Sequence, residues 1–242
     1  MTTTLLSTTY FGPIQWYQKL YRYDRVLIEQ HETFQKQTFR NRCLIATTQG
    51  VQALTVPIDH GGNMEHGGNV QSAETSALNP PASSFPVSAA RLSSHGNWRH
   101  LHWQALQSAY GESPFFEYYE DDLRPFFKED RWQYLLDFNE AICQTMCELL
   151  DIHPNISRTT SYIPPRPSSL SLEDTSSFPL PPSSFAPEAD FRETIRPKHP
   201  LPDADFRPRD YYQVYRQKHG FLPNLSILDL LFNMGPESIF FL

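Results

Sequence analysis

Glu29 and His31 are the residues of this chain whose types and spacing most directly suggest acid–base chemistry. They follow the apolar run of residues 26–28, which predicts a buried parallel strand. In open α/β sheets, ligands bind in the crevice outside the carboxyl ends of the strands, where these two side chains would emerge on the same side. We predict that they act as an acid/base pair or hold sugar hydroxyls. A buried structural hydrogen bond would use the same residues.

Three cations follow that strand end, although the chain has 27 Asp and Glu against 20 Lys and Arg and a formal charge of −7. If residues 35–42 are extended, Lys36, Arg40 and Arg42 point to one side. Lysine would supply a point charge and arginine bidentate contacts, which suits a phosphate or a carboxylate. Together with Asn41, they form the predicted phosphate- or substrate-binding group. The alternative is a solvated basic edge that pairs with acidic residues elsewhere.

A predicted helix over residues 98–110 is the second place where polar side chains could meet a ligand. His102 lies in its apolar stripe, His100 lies on its more polar side, and Tyr110 lies in a neighbouring stripe. We predict that these three residues contribute substrate contacts from the wall opposite Glu29. Core packing is the alternative for His102, because a histidine on an apolar face is usually a satisfied core residue.

The elements that must position these residues form an α/β pattern. The order strand, helix, strand near the start of the chain is a βαβ unit, which favours parallel pairing. A TTQG turn between two later strands predicts an antiparallel hairpin. The predicted strands and helices of this first part are strands 5–10, 25–29, 42–46 and 52–58 and helix 14–23.

Helices dominate the rest of the predicted fold. The fold class is α/β, a Rossmann-like mixed, mostly parallel sheet flanked by helices, with two low-complexity insertions. Asn139 is a polar residue in an apolar stripe, so it needs partners if it is buried, either as a structural clamp or as a site residue. The remaining predicted elements are strands 87–92 and 157–162 and helices 98–110, 114–127, 130–150, 211–218 and 226–232.

Two stretches have too little apolar content for a packed core. Residues 59–86 contain a near-repeat of HGGN, and residues 163–190 are rich in Pro and Ser. We predict a flexible loop for the first and a disordered segment for the second, within a single domain over residues 1–242.

Charge and cysteine content exclude several functions. The acidic balance argues against nucleic-acid binding. Three cysteines without ligand spacing predict neither a disulfide framework nor a metal site, and they fit a cytoplasmic protein. No apolar stretch is long enough for membrane insertion, and no glycine fingerprint or nucleophile motif predicts a cofactor or a common enzyme class.

Four segments together resemble the WbqC-like protein family. The family's opening turn, its K-x-x-x-R-N-R segment, its A-Y-x-x-x-P-F-F junction and its S-I-L-D-L-L-F-N-x-G-P end are matched by residues 12–20, 36–42, 109–116 and 226–236. Longer relatives carry a glycine- and tyrosine-rich segment where this chain has its Pro/Ser stretch. The resemblance implies a cytoplasmic role in surface-polysaccharide or O-antigen biosynthesis, without supplying a reaction.

Two functional hypotheses follow from the residues and the resemblance. The first is an enzyme that transfers a group on a phosphate- or nucleotide-activated sugar, with no cofactor. The second is a non-catalytic binding or assembly subunit of the same pathway, which would have a protein partner.

Overall fold

The computed structural model describes residues 1–59, 85–165 and 189–242. At its centre is a sheet of four strands in the order β7-β2-β1-β8, all of them parallel. The strands are β1 (Thr3–Ser7), β2 (Arg25–Glu29), β3 (Arg42–Thr47), β4 (Gly50–Thr55), β5 (Ile58–Asp59), β6 (Arg91–Leu92), β7 (Ile156–Arg158) and β8 (Ala189–Asp190). An α/β fold with helices flanking a parallel sheet is therefore confirmed.

Seven α-helices accompany the strands in the described part of the chain. They are α1 (Ile14–Arg22), α2 (Trp98–Tyr110), α3 (Phe116–Leu123), α4 (Pro125–Lys128), α5 (Leu135–Leu149), α6 (Arg216–His219) and α7 (Ile227–Met234). Short 3-10 helices cover Val87–Ala89 and Gly235–Phe241. Many of the aromatic residues lie in the core. Tyr10, Phe11, Tyr110 and Phe232 are among the fully buried ones.

The predicted βαβ unit is correct. β1 pairs in parallel with β2 in the register Thr3 to Arg25, and α1 connects them. The predicted hairpin is also correct, because β3 and β4 pair antiparallel across the TTQG turn. Ser226 caps α7 by accepting a hydrogen bond from the Leu228 N–H.

Several boundaries differ from the predictions for local physical reasons. The helix predicted over residues 114–127 is divided into α3 and α4 at Pro125, whose ring lacks an N–H donor and starts a new helix. The strand predicted over residues 87–92 is a 3-10 helix followed by the two-residue β6. β8 was not predicted, since a two-residue strand of Ala and Asp carries no periodic signal.

The extended conformation on which the row of cations depends is not present in residues 36–41. Turns and a bend occupy residues 36–41, and Gln37 has a φ of 59°. Only an extended backbone would place the three cations side by side, and these residues do not have one. Most of the predicted loop 59–86 and most of the Pro/Ser segment 163–190 lie outside the described residues.

Candidate functional site

The carboxyl ends of the four parallel strands meet at one edge of the sheet, and the edge carries a buried set of charges. Glu29 ends β2 and has no exposed surface. Its Oε1 accepts hydrogen bonds from the His31 N–H at 2.8 Å and from the Thr159 hydroxyl at 2.9 Å, and its Oε2 accepts from the Ile163 N–H at 2.8 Å. Arg192 approaches the same carboxylate at 3.8 Å. Both oxygens of the predicted base are therefore engaged by the protein itself.

Arg40 reaches the same edge but is paired with a carboxylate. Its Nε and Nη2 donate to the two oxygens of Glu32 at 2.8 and 2.6 Å, and its Nη2 also donates to the Ser7 hydroxyl at 2.9 Å. Arg40 and Glu32 are 5% and 7% exposed. This bidentate geometry is the one by which arginine binds phosphate, so the guanidinium that the sequence assigns to a ligand already holds an internal anion.

The other two predicted cations do not join Arg40. Lys36 is exposed in the turn, and Arg42 lies at the start of β3, where its Nε donates to the Thr55 hydroxyl. Asn41 is buried and donates from Nδ2 to the Val56 carbonyl, so it joins its loop to the end of β4. The His31 side chain is exposed beyond the Glu29 carboxylate. Lys36, Arg40 and Arg42 thus differ in burial and in their partners, and their joint role as an anion site stays a prediction.

The predicted residues of α2 are also separated. His100 is exposed, whereas His102 is buried and accepts from or donates to the Tyr10 hydroxyl through Nδ1 at 2.9 Å. Burial lowers the pKa of His102 to about 4, against a hydrogen bond to the Thr55 backbone that raises it. His102 is therefore a neutral residue of the core at physiological pH.

Tyr110 belongs to a third buried network. Its hydroxyl donates to Asp229 at 2.8 Å and accepts from the Ala46 N–H at 3.0 Å, while Tyr211 donates to the other Asp229 oxygen at 2.5 Å. Burial raises the pKa of Asp229, an effect that these hydrogen bonds oppose. Tyr110 and Asp229 join α2 to α7, and the ligand-binding roles predicted for the α2 residues stay predictions.

A cavity of about 420 Å³ opens on the other side of the same strand ends. It lies between α5, α1 and the sheet, and its volume is within the range of small-molecule sites. The floor is mostly apolar, and polar side chains surround it. The lining residues are Thr8, Thr9, Trp16, Ile28, Leu136, Asn139, Glu140, Cys143, Gln144, Cys147, Glu148, Ile152, His153, Pro154, Ile156 and Arg158.

The loop after β1 forms the end of this cavity nearest the charged edge. Trp16 donates from its indole N–H to the Ser7 carbonyl at 2.9 Å, which holds the first turn of α1 against the strand end. A Cβ atom on Gly12 would lie 2.4 Å from the Thr9 Oγ1, so the tight turn that places Thr8 and Thr9 requires glycine.

Asn139 connects the cavity to the charged edge. Its Nδ2 donates to the Thr8 hydroxyl at 3.1 Å and to the Arg40 carbonyl at 2.8 Å. The Arg40 carbonyl can only accept a hydrogen bond, so the nitrogen of the Asn139 amide, and not its oxygen, must face it. The Asn139 Oδ1 is buried and has no hydrogen-bond partner among the described residues. The polar residue that interrupts the apolar stripe of α5 is therefore a clamp that keeps one unused acceptor.

The rim of the cavity is acidic. Glu140 and Glu148 line it, and Asp137 and Asp151 contact the lining residues Arg158 and His153. Arg158, at the end of β7, donates to both Asp137 and Glu140. Two of these four carboxylates therefore share the Arg158 guanidinium, whereas Glu148 and Asp151 contact Gln144 and His153.

Sequence reasoning pointed to the carboxyl ends of the strands but missed most of the residues that line the cavity. Only Asn139 gave a signal, as a polar residue in an apolar stripe. Glu140, Gln144 and Glu148 follow at helical spacing on the exposed side of α5, a pattern shared with any solvated helix face. Arg158 lies in a strand of three residues, and its role depends on α5, which is distant in sequence.

The fold and this cavity define an α/β protein with a site of small-molecule size beside the carboxyl ends of a parallel sheet. Residues 8–175 and 203–240 match the WbqC-like protein family. The chain therefore belongs to that family, and the resemblance of its motifs is confirmed. β8 and Arg192 lie between the two matched ranges.

A curated relative has no assigned activity. The uncharacterized protein Rv1507c of Mycobacterium tuberculosis is 28% identical to this chain over 218 residues, which are 89% of this chain and 86% of the relative. No solved structure matches the chain. None of the helices in the described ranges has the length and apolar character that crossing a bilayer requires.

Proposed function

We propose that this protein is a cytoplasmic enzyme of surface-polysaccharide or glycan-precursor biosynthesis that transfers a group on an activated sugar. The cavity between α1, α5 and the sheet holds the sugar ring. The observation that carries this proposal is the composition of its wall, where hydroxyl, amide and carboxylate groups surround an apolar floor that includes Trp16. Sugars present hydroxyls at their edges and C–H groups on their faces, so they fit a wall of this kind.

The acidic rim limits where the predicted phosphate or nucleotide group of the substrate could bind. Arg158 is the one guanidinium among the lining residues, and it is already shared by Asp137 and Glu140. We therefore assign the cavity to the sugar portion, and we expect a phosphate group on the ligand to weaken binding unless it lies outside this rim.

A specific observation favours the second candidate, a non-catalytic binding or assembly subunit of the same pathway. Glu29 is fully buried, and three donors already occupy its oxygens. It is therefore poorly placed to take a proton from a substrate. The two candidates share the ligand and differ in turnover and in the need for a protein partner.

A thermal-shift screen tests the binding part of the proposal. The panel contains neutral sugars, amino sugars, sugar phosphates and nucleotide sugars. Gln144→Trp places a large side chain at the rim from an exposed position of α5, whereas Gln107→Trp makes the same change at an exposed position of α2. We expect the stabilisation by a sugar to disappear in Gln144→Trp and to persist in Gln107→Trp. Equal stabilisation of both variants, or no stabilising sugar, contradicts the proposal.

Nucleotide or phosphate release separates the enzyme from the binding subunit. The stabilising sugar is incubated with the protein, and its activated form is followed over a day by phosphorus NMR. Release that depends on the wild-type cavity supports transfer. Binding without any release favours the second candidate.

A further inference from the structure

The polar side chains in the wall of the cavity are partly engaged by protein atoms. Each amide or guanidinium side chain in the wall already donates to a protein atom. Asn139 donates to Thr8 and to Arg40, Gln144 donates to Glu148, and Arg158 donates to Asp137 and Glu140. The two lining carboxylates retain acceptor capacity, because an ionised carboxylate has about four lone-pair positions.

A second, independent observation comes from the deep end of the cavity. Asn139 is 1% exposed, and its Oδ1 lacks a hydrogen-bond partner within the described ranges of the chain. A buried acceptor without a partner is costly, and a ligand with an N–H or O–H group would satisfy it. The amide cannot rotate to present a donor instead, because the Arg40 carbonyl needs its nitrogen.

The electrostatics of the wall select the charge of that ligand. Among the described residues, two carboxylates line the cavity and two more contact lining residues, against one guanidinium that is paired with two of the four. The wall also includes the last turn of α5, where the helix dipole favours positive charge. The net charge of −7 on the chain acts in the same direction.

We infer that the cavity binds an amino sugar, with the primary ammonium among the carboxylates of α5 and a hydroxyl or ammonium hydrogen on the Asn139 Oδ1. The inference rests on the proposed function, since it names the class of sugar that the same cavity takes. It assigns the preference for the ammonium to Glu140 and Glu148.

The test is a calorimetric titration of the full chain with four probes at about pH 6.5, where a primary amine is largely charged. D-Glucosamine carries the ammonium, D-glucose lacks the nitrogen, N-acetyl-D-glucosamine has it neutralised, and ethanolamine carries an ammonium without a sugar ring. We expect D-glucosamine to bind about tenfold or more tightly than each of the others.

Two carboxylate variants and one control locate the preference. Glu140→Gln combined with Glu148→Gln should remove the advantage of D-glucosamine over D-glucose. Both positions are exposed, so the variant should fold. Glu117→Gln, on the exposed side of α3, changes the net charge at a distant helix and should keep the preference.

The outcomes distinguish this inference from the proposed function. Equal binding of D-glucose and D-glucosamine overturns the inference and leaves the sugar site in place. If ethanolamine binds as tightly as D-glucosamine, the sugar ring does not contribute to binding, which overturns the assignment of the ligand as an amino sugar. Absence of binding by all three sugars contradicts the inference and the proposed sugar-binding role together. A preference that survives in the double variant overturns the assignment to Glu140 and Glu148.

Discussion

Two regions meet at the carboxyl end of β1, and they differ in how much open space the protein leaves beside its polar groups. On one side, Arg40 pairs with Glu32 and Ser7, and the space that remains beside them is about 10 Å³, roughly the size of one water. On the other side lies the cavity of about 420 Å³, and no residue in the part of the chain that the structure describes donates to the Asn139 Oδ1 there. A cluster of cations in a sequence therefore indicates a ligand only after its internal anions have been located.

Arg40→Met is expected to have the largest effect on stability. It leaves Glu32 as a buried carboxylate without its partner, and breaking a buried pair in this way costs about 3–5 kcal/mol. Denaturant unfolding at neutral pH measures the loss. The double variant Glu32→Leu/Arg40→Met removes both charges and should recover much of the stability. Near-normal stability of Arg40→Met, with lost ligand binding, would instead make Arg40 a ligand-binding residue.

His102 on α2 extends the comparison, because this predicted site residue, like Arg40, is buried and bonded within the protein. Burial lowers its pKa from 6.5 to about 4. Between these pH values the His102 side chain binds a proton in the unfolded chain but not in the folded protein. The stability that the neutral, buried His102 permits is therefore complete above about pH 6.5 and is lost as the pH falls toward 4. Over that window the loss amounts to about 3 kcal/mol.

The measurement is denaturant unfolding of the wild type and His102→Gln at several pH values from 7 to 4. The wild type should lose stability more steeply than the variant. Asp229, whose pKa is raised by burial, changes stability in the opposite direction and is present in both proteins, so the difference between the two curves isolates His102. Parallel curves would show that the pKa of His102 is the same in the folded and the unfolded protein.

Asn139→Ala tests the clamp between the two regions. The change removes the donor to Thr8 and leaves the Arg40 carbonyl without its partner, which should cost about 1–3 kcal/mol. Asn155→Ala, at an exposed side chain before β7, is the matched control and should stay within about 0.5 kcal/mol of the wild type. Equal stabilities of the two variants in denaturant unfolding would contradict the role of Asn139 as a clamp.

The fold was largely predictable because its signals are local. The βαβ unit, the β3–β4 hairpin and α2 follow from periodicity and turn residues, and α2 has the predicted bounds. The site was less predictable because it depends on pairs that are distant in sequence. Neither the contact of Asn139 with Arg40 nor the pairing of Glu29 with Thr159 and Ile163 has a local signal. The Glu32 carboxylate does lie near Arg40 in sequence, but only the turn over residues 36–41 brings them together.

Isoleucine methyl signals offer the most direct test of where the ligand binds. Ile28, Ile152 and Ile156 line the cavity, whereas Ile195 lies beside Arg40 on the filled side. In a protein labelled at isoleucine methyl groups and titrated with D-glucosamine, we predict that the signals of the three cavity residues shift and that of Ile195 does not. A shift of Ile195 with unchanged cavity signals would contradict the account and return the site to the cation-rich edge.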